Sequence, residues 1–126
     1  MNKLLEKNKL AEKHNLYNYH SGGGCFHLAL DTDIDEIMWL INDVIDDNEP
    51  SQDYPTREDQ RCIFGIDLIY MEDESLKTKV IKILNAHNLL GDCDFETPYF
   101  YDVFSNGIAK VKRINKEISA LVKEVA

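Results

Sequence analysis

The spacing of apolar residues along the chain changes several times, and each spacing predicts a different element. A charged segment with sparse leucines, from Asn2 to His14, predicts a first helix that Asn2 caps. Two β-prone runs, residues 16–20 and 25–30, flank Ser21-Gly-Gly-Gly24. This arrangement predicts a β-hairpin whose turn uses the positive φ angles open to glycine.

Helical spacing predicts three further helices. Apolar residues recur three or four positions apart from Ile34 to Asp46, and Asp33 and Glu36 suit its first turn. A second helix is predicted from Leu76 to Leu90, capped by Ser75. The third runs from Ile108 to Val125, with Lys112, Lys116 and Lys123 opposite its apolar face.

The other segments predict strands and one loop. Residues 62–70 are apolar on both alternating sets, which is typical of a strand covered on both faces. Residues 94–104 are aromatic and β-prone, whereas residues 47–60 contain two prolines and predict a loop. The predicted order is α-ββ-α-β-α-β-α. It indicates an α+β fold, with a mixed or antiparallel sheet of about four strands and helices mainly on one face.

Length and composition narrow the class of protein. At 126 residues and 44% hydrophobic content, residues 1–126 are expected to form a single domain. No apolar run approaches the ~20 residues that span a bilayer, so no membrane partner is expected. Three cysteines, an odd number without a C-x-x-C pair, argue against a disulfide framework. They favour a reducing, intracellular compartment, and we predict a cytoplasmic protein.

The acidic residues are concentrated in one third of the chain. Fifteen of the 23 Asp and Glu residues lie between Asp31 and Glu74, with only Arg57 and Arg61 as bases, for a net charge of 2 − 15 = −13. Direct binding of nucleic acid depends on Lys and Arg displacing counterions, so this charge disfavours it. A partner with a basic surface is expected instead.

Trp39 is the candidate anchor for such a partner. On the predicted helix it lies roughly opposite the apolar face, at helical spacing from Glu36 and Asp43. Tryptophan is enriched at binding hot spots, so an exposed one among carboxylates suggests an interface. The alternative is that another element covers Trp39. The predicted partner-binding set lies on this helix and the following loop: Trp39, Asp35, Glu36, Asp43, Asp46, Asp47, Glu49 and Asp53.

These features favour a non-enzymatic interaction protein. Lys- and Arg-lined grooves that hold phosphates are the natural complement of its acidic surface, so we predict an inhibitor that mimics nucleic acid. In size, acidity and lack of a catalytic motif, the chain is similar to small inhibitors encoded by phages and other mobile elements, including anti-CRISPR proteins. This resemblance rests on general properties and implies an anti-defence role without cofactors.

A Cys/His enzyme is the alternative. If Ser21–Gly24 form a four-residue loop, His20 pairs with Cys25, and His27 emerges on the same face. Such a set suits a nucleophile with its base or, with Cys62, a metal site, although the spacing matches no common zinc pattern. Asp67, inside the apolar strand, is a candidate acid. No metal is expected, and the oligomeric state stays open.

Overall fold

The computed structural model describes residues 9–22, 25–45, 49–50, 55–68, 70–89 and 98–125. Within these ranges the chain forms three helices, five strands and one two-residue strand. The helices are α1 (Lys9–His14), α2 (Glu74–Ala86) and α3 (Phe104–Val125). The strands are β1 (Tyr17–Gly22), β2 (Cys25–Asp31), β3 (Met38–Ile45), β4 (Glu49–Pro50), β5 (Arg61–Asp67) and β6 (Tyr99–Val103).

The strands form one antiparallel sheet in the order β1-β2-β3-β5-β6, and β4 pairs with the end of β3. The predicted α+β class is confirmed, with five main strands where about four were expected. Leu28 of β2 lies opposite Ile41 of β3, which in turn lies opposite Phe64 of β5 and its partner Phe100 of β6. Directly paired residues share a face, so these four side chains point to the same side of the sheet.

The predicted helix from Ile34 to Asp46 is wrong, because residues 38–45 form β3 at the centre of the sheet. The segment is apolar on both alternating sets: Trp39 and Ile41 are fully buried, and Met38 and Leu40 are half-buried. A short run of this kind satisfies helical spacing and strand alternation equally well. Its β-branched and aromatic side chains favour a strand, and pairing with β2 and β5 stabilises that conformation over a helix.

A tight turn replaces the predicted start of that helix. The hydroxyl of Thr32 accepts from the backbone N–H of Ile34 and lies within hydrogen-bonding distance of the carbonyls of Ile34 and Ile37. Ile34 and Ile37 are both buried in the core. Two of the apolar residues that suggested a helical face therefore anchor a turn, which leads directly into β3.

The other boundaries shift by a few residues. The first helix is seen over Lys9–His14, and residues 1–8 of the prediction lie outside the described residues. The predicted strand 62–70 ends at Asp67. Helix α2 is capped by Asp73, not by Ser75, since the Asp73 carboxylate accepts from the N–H of Leu76. Helix α3 begins at Phe104, four residues earlier than predicted.

One face of the sheet packs against α3. The rings of Phe64 and Phe100 stack with centroids 4.8 Å apart. Gly107 of α3 approaches Phe64 so closely that an added Cβ would lie 2.1 Å from its ring. Buried residues of α1 and α2, among them Leu10 and Val80, join the same core. The opposite sheet face is less covered: Leu40, Ile63 and Tyr101 there are all half-buried.

Candidate interaction site

Trp39 is not the exposed anchor that the sequence predicted. Its side chain is 0% exposed, and it meets Phe100 edge-on at 6.2 Å between ring centroids. The indole Nε1–H donates to Oδ1 of Asn115 on α3, over 2.7 Å. Trp39 is paired with Ile66, which lies on the same face of β5 as Phe64, so Trp39 faces the helix-covered side of the sheet. Its role is to join the sheet to α3.

The predicted acidic residues fall in different places. Asp35 and Glu36 are exposed in the turn between β2 and β3. Asp43 is half-buried in β3, where its carboxylate accepts from the N–H of Val44. Glu49 belongs to β4, but its side chain lies outside the described set, as do residues Asp46, Asp47 and Asp53 altogether. The single acidic helix face that the sequence predicted does not exist.

Exposed carboxylates instead meet at one end of the sheet. Met38, at the start of β3, pairs with Asp67, at the end of β5, so the turn before β3 and the connection after β5 are neighbours. We call the exposed carboxylates of these two segments, together with those of the adjoining Asp31 at the end of β2 and Glu74 at the start of α2, the acidic pole. They are Asp31, Asp33, Asp35, Glu36, Glu72, Asp73 and Glu74.

The acidic pole has a concave centre. Glu36, Tyr70, Glu72 and Asp73 line a depression of about 260 Å³. Residues 31–37 and 68–74 contain no Lys or Arg. Among the described residues, no ion pair involves a carboxylate of the pole. No described base therefore forms an ion pair with the seven carboxylates, and a cationic partner would find their charges available.

Two exposed tyrosines accompany these carboxylates. Tyr70 is 70% exposed in the connection after β5, and Tyr17 of β1 is 39% exposed. The Tyr17 hydroxyl donates to Oδ1 of Asp31 over 2.7 Å. Partial burial, together with the Asp31 carboxylate, raises the pKa of Tyr17 to about 12, so it remains a donor near neutral pH. These are the large hydrophobic side chains that the described surface exposes, and both adjoin the pole.

Sequence reasoning missed Tyr70 because it extended the strand Cys62–Tyr70 through it. The signal that could have located it is the cluster Glu72-Asp73-Glu74, which requires solvent immediately after the apolar run. Leu68 and Met71, which lie on either side of Tyr70 in the sequence, are both buried in the core. This arrangement leaves Tyr70 outside.

The predicted hairpin is confirmed, but its predicted register is wrong. His20 lies opposite Phe26 and Gly22 lies opposite Cys25, with an irregularity between His20 and Gly22. The pairing of His20 with Cys25, on which the candidate Cys/His site depended, is absent. The side chains of His20 and Cys25 lie outside the described set.

The remaining candidates for the Cys/His alternative lie on β2 and β5. His27 places Nδ1 2.5 Å from Oδ1 of Asn42 on β3. Cys62 is fully buried, and burial, aided by the Asp43 carboxylate, raises the pKa of its thiol to about 12. Asp67 ends β5 opposite Met38. Within the described residues, no three His, Cys, Asp or Glu side chains are placed to share a metal ion.

None of the described helices combines the length and apolarity needed to cross a membrane. The chain matches no protein-family model, no curated protein and no solved structure.

Proposed function

We propose that this chain is a non-enzymatic interaction protein that docks its acidic pole on a basic groove of a nucleic-acid-handling protein. The observation that carries the proposal is the meeting of seven exposed carboxylates with Tyr70 and Tyr17 at one end of the sheet. Carboxylates at this density present to a Lys/Arg groove the kind of charge that phosphates present. Occupying the groove would exclude nucleic acid, so the protein would act as an inhibitor.

Charge and aromatic surface have separate tasks in this proposal. Complementary charge accelerates encounter and fixes orientation, whereas affinity comes mainly from a few well-packed anchors. Tyr70 suits the anchor role because its ring is exposed beside a depression that Glu36 and Glu72 also line. Tyrosine offers a large contact area and a hydroxyl at a low cost in side-chain entropy.

A binding panel tests the proposal. The chain is immobilised and presented with purified DNA- and RNA-binding proteins that have basic grooves, with and without competing nucleic acid. We expect at least one of them to bind, to lose its nucleic acid on binding, and to bind at least ~10-fold more weakly at ~500 mM than at ~50 mM salt. Salt-independent binding to every basic protein tested would contradict the proposal.

Matched charge reversals locate the surface. Asp35→Lys/Glu36→Lys alters two exposed carboxylates that have no hydrogen-bond partner in the described residues. Glu12→Lys/Asp59→Lys makes the same change of charge outside the pole, also at exposed positions. We expect the first variant to lose binding and the second to retain it. Equal losses in both would show that net charge alone determines binding.

Truncation of the anchor completes the test. Tyr70→Ala should weaken binding roughly 10-fold or more, as removal of a hot-spot tyrosine does, while Tyr70→Phe retains the ring and most of the affinity. Tyr70 is 70% exposed, so neither variant should alter folding. Unchanged affinity in Tyr70→Ala would contradict the anchor role of Tyr70. Binding by the pole would then depend on its carboxylates alone.

A further inference from the structure

A basic groove lies beside the acidic pole, although the protein as a whole carries a net charge of −9. It separates α1 from α3 and has a volume of about 880 Å³. Lys112, Lys116 and Lys123 of α3 line it and are exposed. Successive helical residues are ~100° apart, so the three lysines lie within ~40° of one another and form a single stripe. We call this surface the lysine groove.

The charges of the lysine groove are available to a ligand. Within the described residues, Lys112, Lys116 and Lys123 form no ion pair. A fourth lysine of the groove, Lys13, is bound to Glu58, with Nζ 2.6 Å from Oε2. The excess positive charge is thus carried by the stripe on α3.

The lysine groove and the acidic pole share a border. Ser119, which lines the groove, donates its hydroxyl to the carboxylate of Asp33 in the pole. Leu30 also lines the groove, and the next residue, Asp31, belongs to the pole. Each molecule therefore presents an anionic and a cationic surface side by side.

We propose that the lysine groove binds the acidic pole of a second copy of this chain, in a dimer with two-fold symmetry. A two-fold axis near the shared border places each pole on the other molecule's groove, so one interface contains two equivalent contacts. The proposal goes beyond the proposed function, because it needs no other protein. Self-association would cover the carboxylates that a basic partner binds, so partner binding would compete with dimerisation.

A second copy fits the groove better than nucleic acid does. Single strands are held by aromatic rings that stack on bases, and the described lining of the groove contains none besides the imidazole of His14. The chain's own pole supplies seven exposed carboxylates that form no ion pair within the described residues.

The net charge of −9 does not prevent this association at moderate salt. At ~0.1 M ionic strength the Debye length is ~10 Å, so charges farther apart are largely screened. Lysine and carboxylate groups in direct contact are separated by much less. Local complementarity can then outweigh repulsion between the molecules as wholes.

A charge swap tests the dimer in the purified full chain. In sedimentation equilibrium at ~0.15 M salt, we expect wild type to form a reversible dimer. Lys112→Glu/Lys116→Glu and Asp35→Lys/Glu36→Lys should each raise the dimer dissociation constant at least ~10-fold, since each brings like charges together. An equimolar mixture of the two variants should dimerise again, because every contact then joins opposite charges.

The control is Lys79→Glu/Lys82→Glu, which makes the same charge change at exposed positions of α2 and should leave dimerisation unchanged. Thermal melting confirms that each variant folds. If a double variant does not fold, the single variant Lys116→Glu or Glu36→Lys is measured in its place. The proposal is overturned by wild type that stays monomeric up to ~1 mM, by a dimer that the groove substitutions do not weaken, or by a mixture that fails to reassociate. Binding of a single-stranded oligonucleotide in the lysine groove, lost on Lys112→Glu/Lys116→Glu, would also overturn it.

The dimer experiment contains no partner protein, so a negative result does not contradict the proposed function. Equally, a chain that binds none of the basic proteins in the panel could still form the dimer.

Discussion

At the scale of single residues, Trp39 shows how far local pattern can mislead. Its predicted exposure followed from placing residues 34–46 on a helix, where its neighbours would be Glu36 and Asp43. On a strand, its neighbours come from other segments, and Asn115 of α3, 76 residues away, holds the indole N–H. No pattern within one short window could reveal that contact.

The Trp39–Asn115 hydrogen bond predicts a measurable loss on truncation. Asn115→Ala leaves the fully buried indole N–H without its acceptor, which typically costs ~1–3 kcal/mol. Urea unfolding should show this loss. Asn106→Ala, at an exposed site of the same helix, controls for the higher helix propensity of alanine and should be neutral or slightly stabilising. Equal stability of the two variants would mean that solvent or another group satisfies the indole.

Gly107 provides a second prediction at this scale. A Cβ at this position would lie 2.1 Å from Cε1 and 2.2 Å from Cζ of Phe64, which is fully buried. Gly107→Ala should therefore destabilise the protein by ~1–3 kcal/mol, despite the better helix propensity of alanine. The urea midpoint measures the loss. Comparison with Asn106→Ala, one residue away, separates the steric clash from propensity, and a stabilised Gly107→Ala would contradict the close approach of α3 to β5.

At the scale of elements, the type of an element was predicted correctly where the spacing of apolar residues fitted only a helix or only a strand. The final helix is long and strictly amphipathic, and it occurs as predicted from Ile108 onward, with one more turn at its start. The hairpin and the strand beginning near Cys62 are also confirmed. The prediction for segment 34–46 failed because its apolar run, residues 37–41, fits both a helix and a strand, and pairing with β2 and β5 decided between the two. The acidic pole escaped prediction for the same reason, since it depends on which strand ends are adjacent.

The start of α2 gives a prediction that distinguishes the observed cap from the predicted one. Asp73 accepts from the N–H of Leu76, so Asp73→Ala should cost ~1 kcal/mol. Ser75, inside the first turn and exposed, should tolerate alanine with no loss. Chemical denaturation of the two variants side by side decides the matter. A larger loss of stability in Ser75→Ala would mean that Ser75, as predicted from the sequence, is the N-cap of α2.

At the scale of the whole molecule, the segregation of charge should have a cost in stability. The seven carboxylates of the acidic pole, within segments that contain no base, repel one another in the folded state. If the pole serves binding, nothing within the fold is expected to offset this repulsion fully. The alternative is that Lys112, Lys116 and Lys123 of the adjoining lysine groove neutralise it within one molecule.

Salt distinguishes these two possibilities. Uncompensated repulsion predicts that the melting temperature of the dilute, monomeric protein rises between ~10 and ~500 mM sodium chloride, as the carboxylates are screened. Asp35→Lys/Glu36→Lys should raise the free energy of unfolding at low salt by roughly 0.5 kcal/mol and flatten its salt dependence. Glu12→Lys/Asp59→Lys has the same net charge but leaves the pole intact, so it should retain the steeper dependence. If salt instead lowers the stability of wild type, attraction between the groove lysines and the carboxylates of the pole already stabilises each molecule. The pole would then be neutralised within the fold and would not depend on a partner.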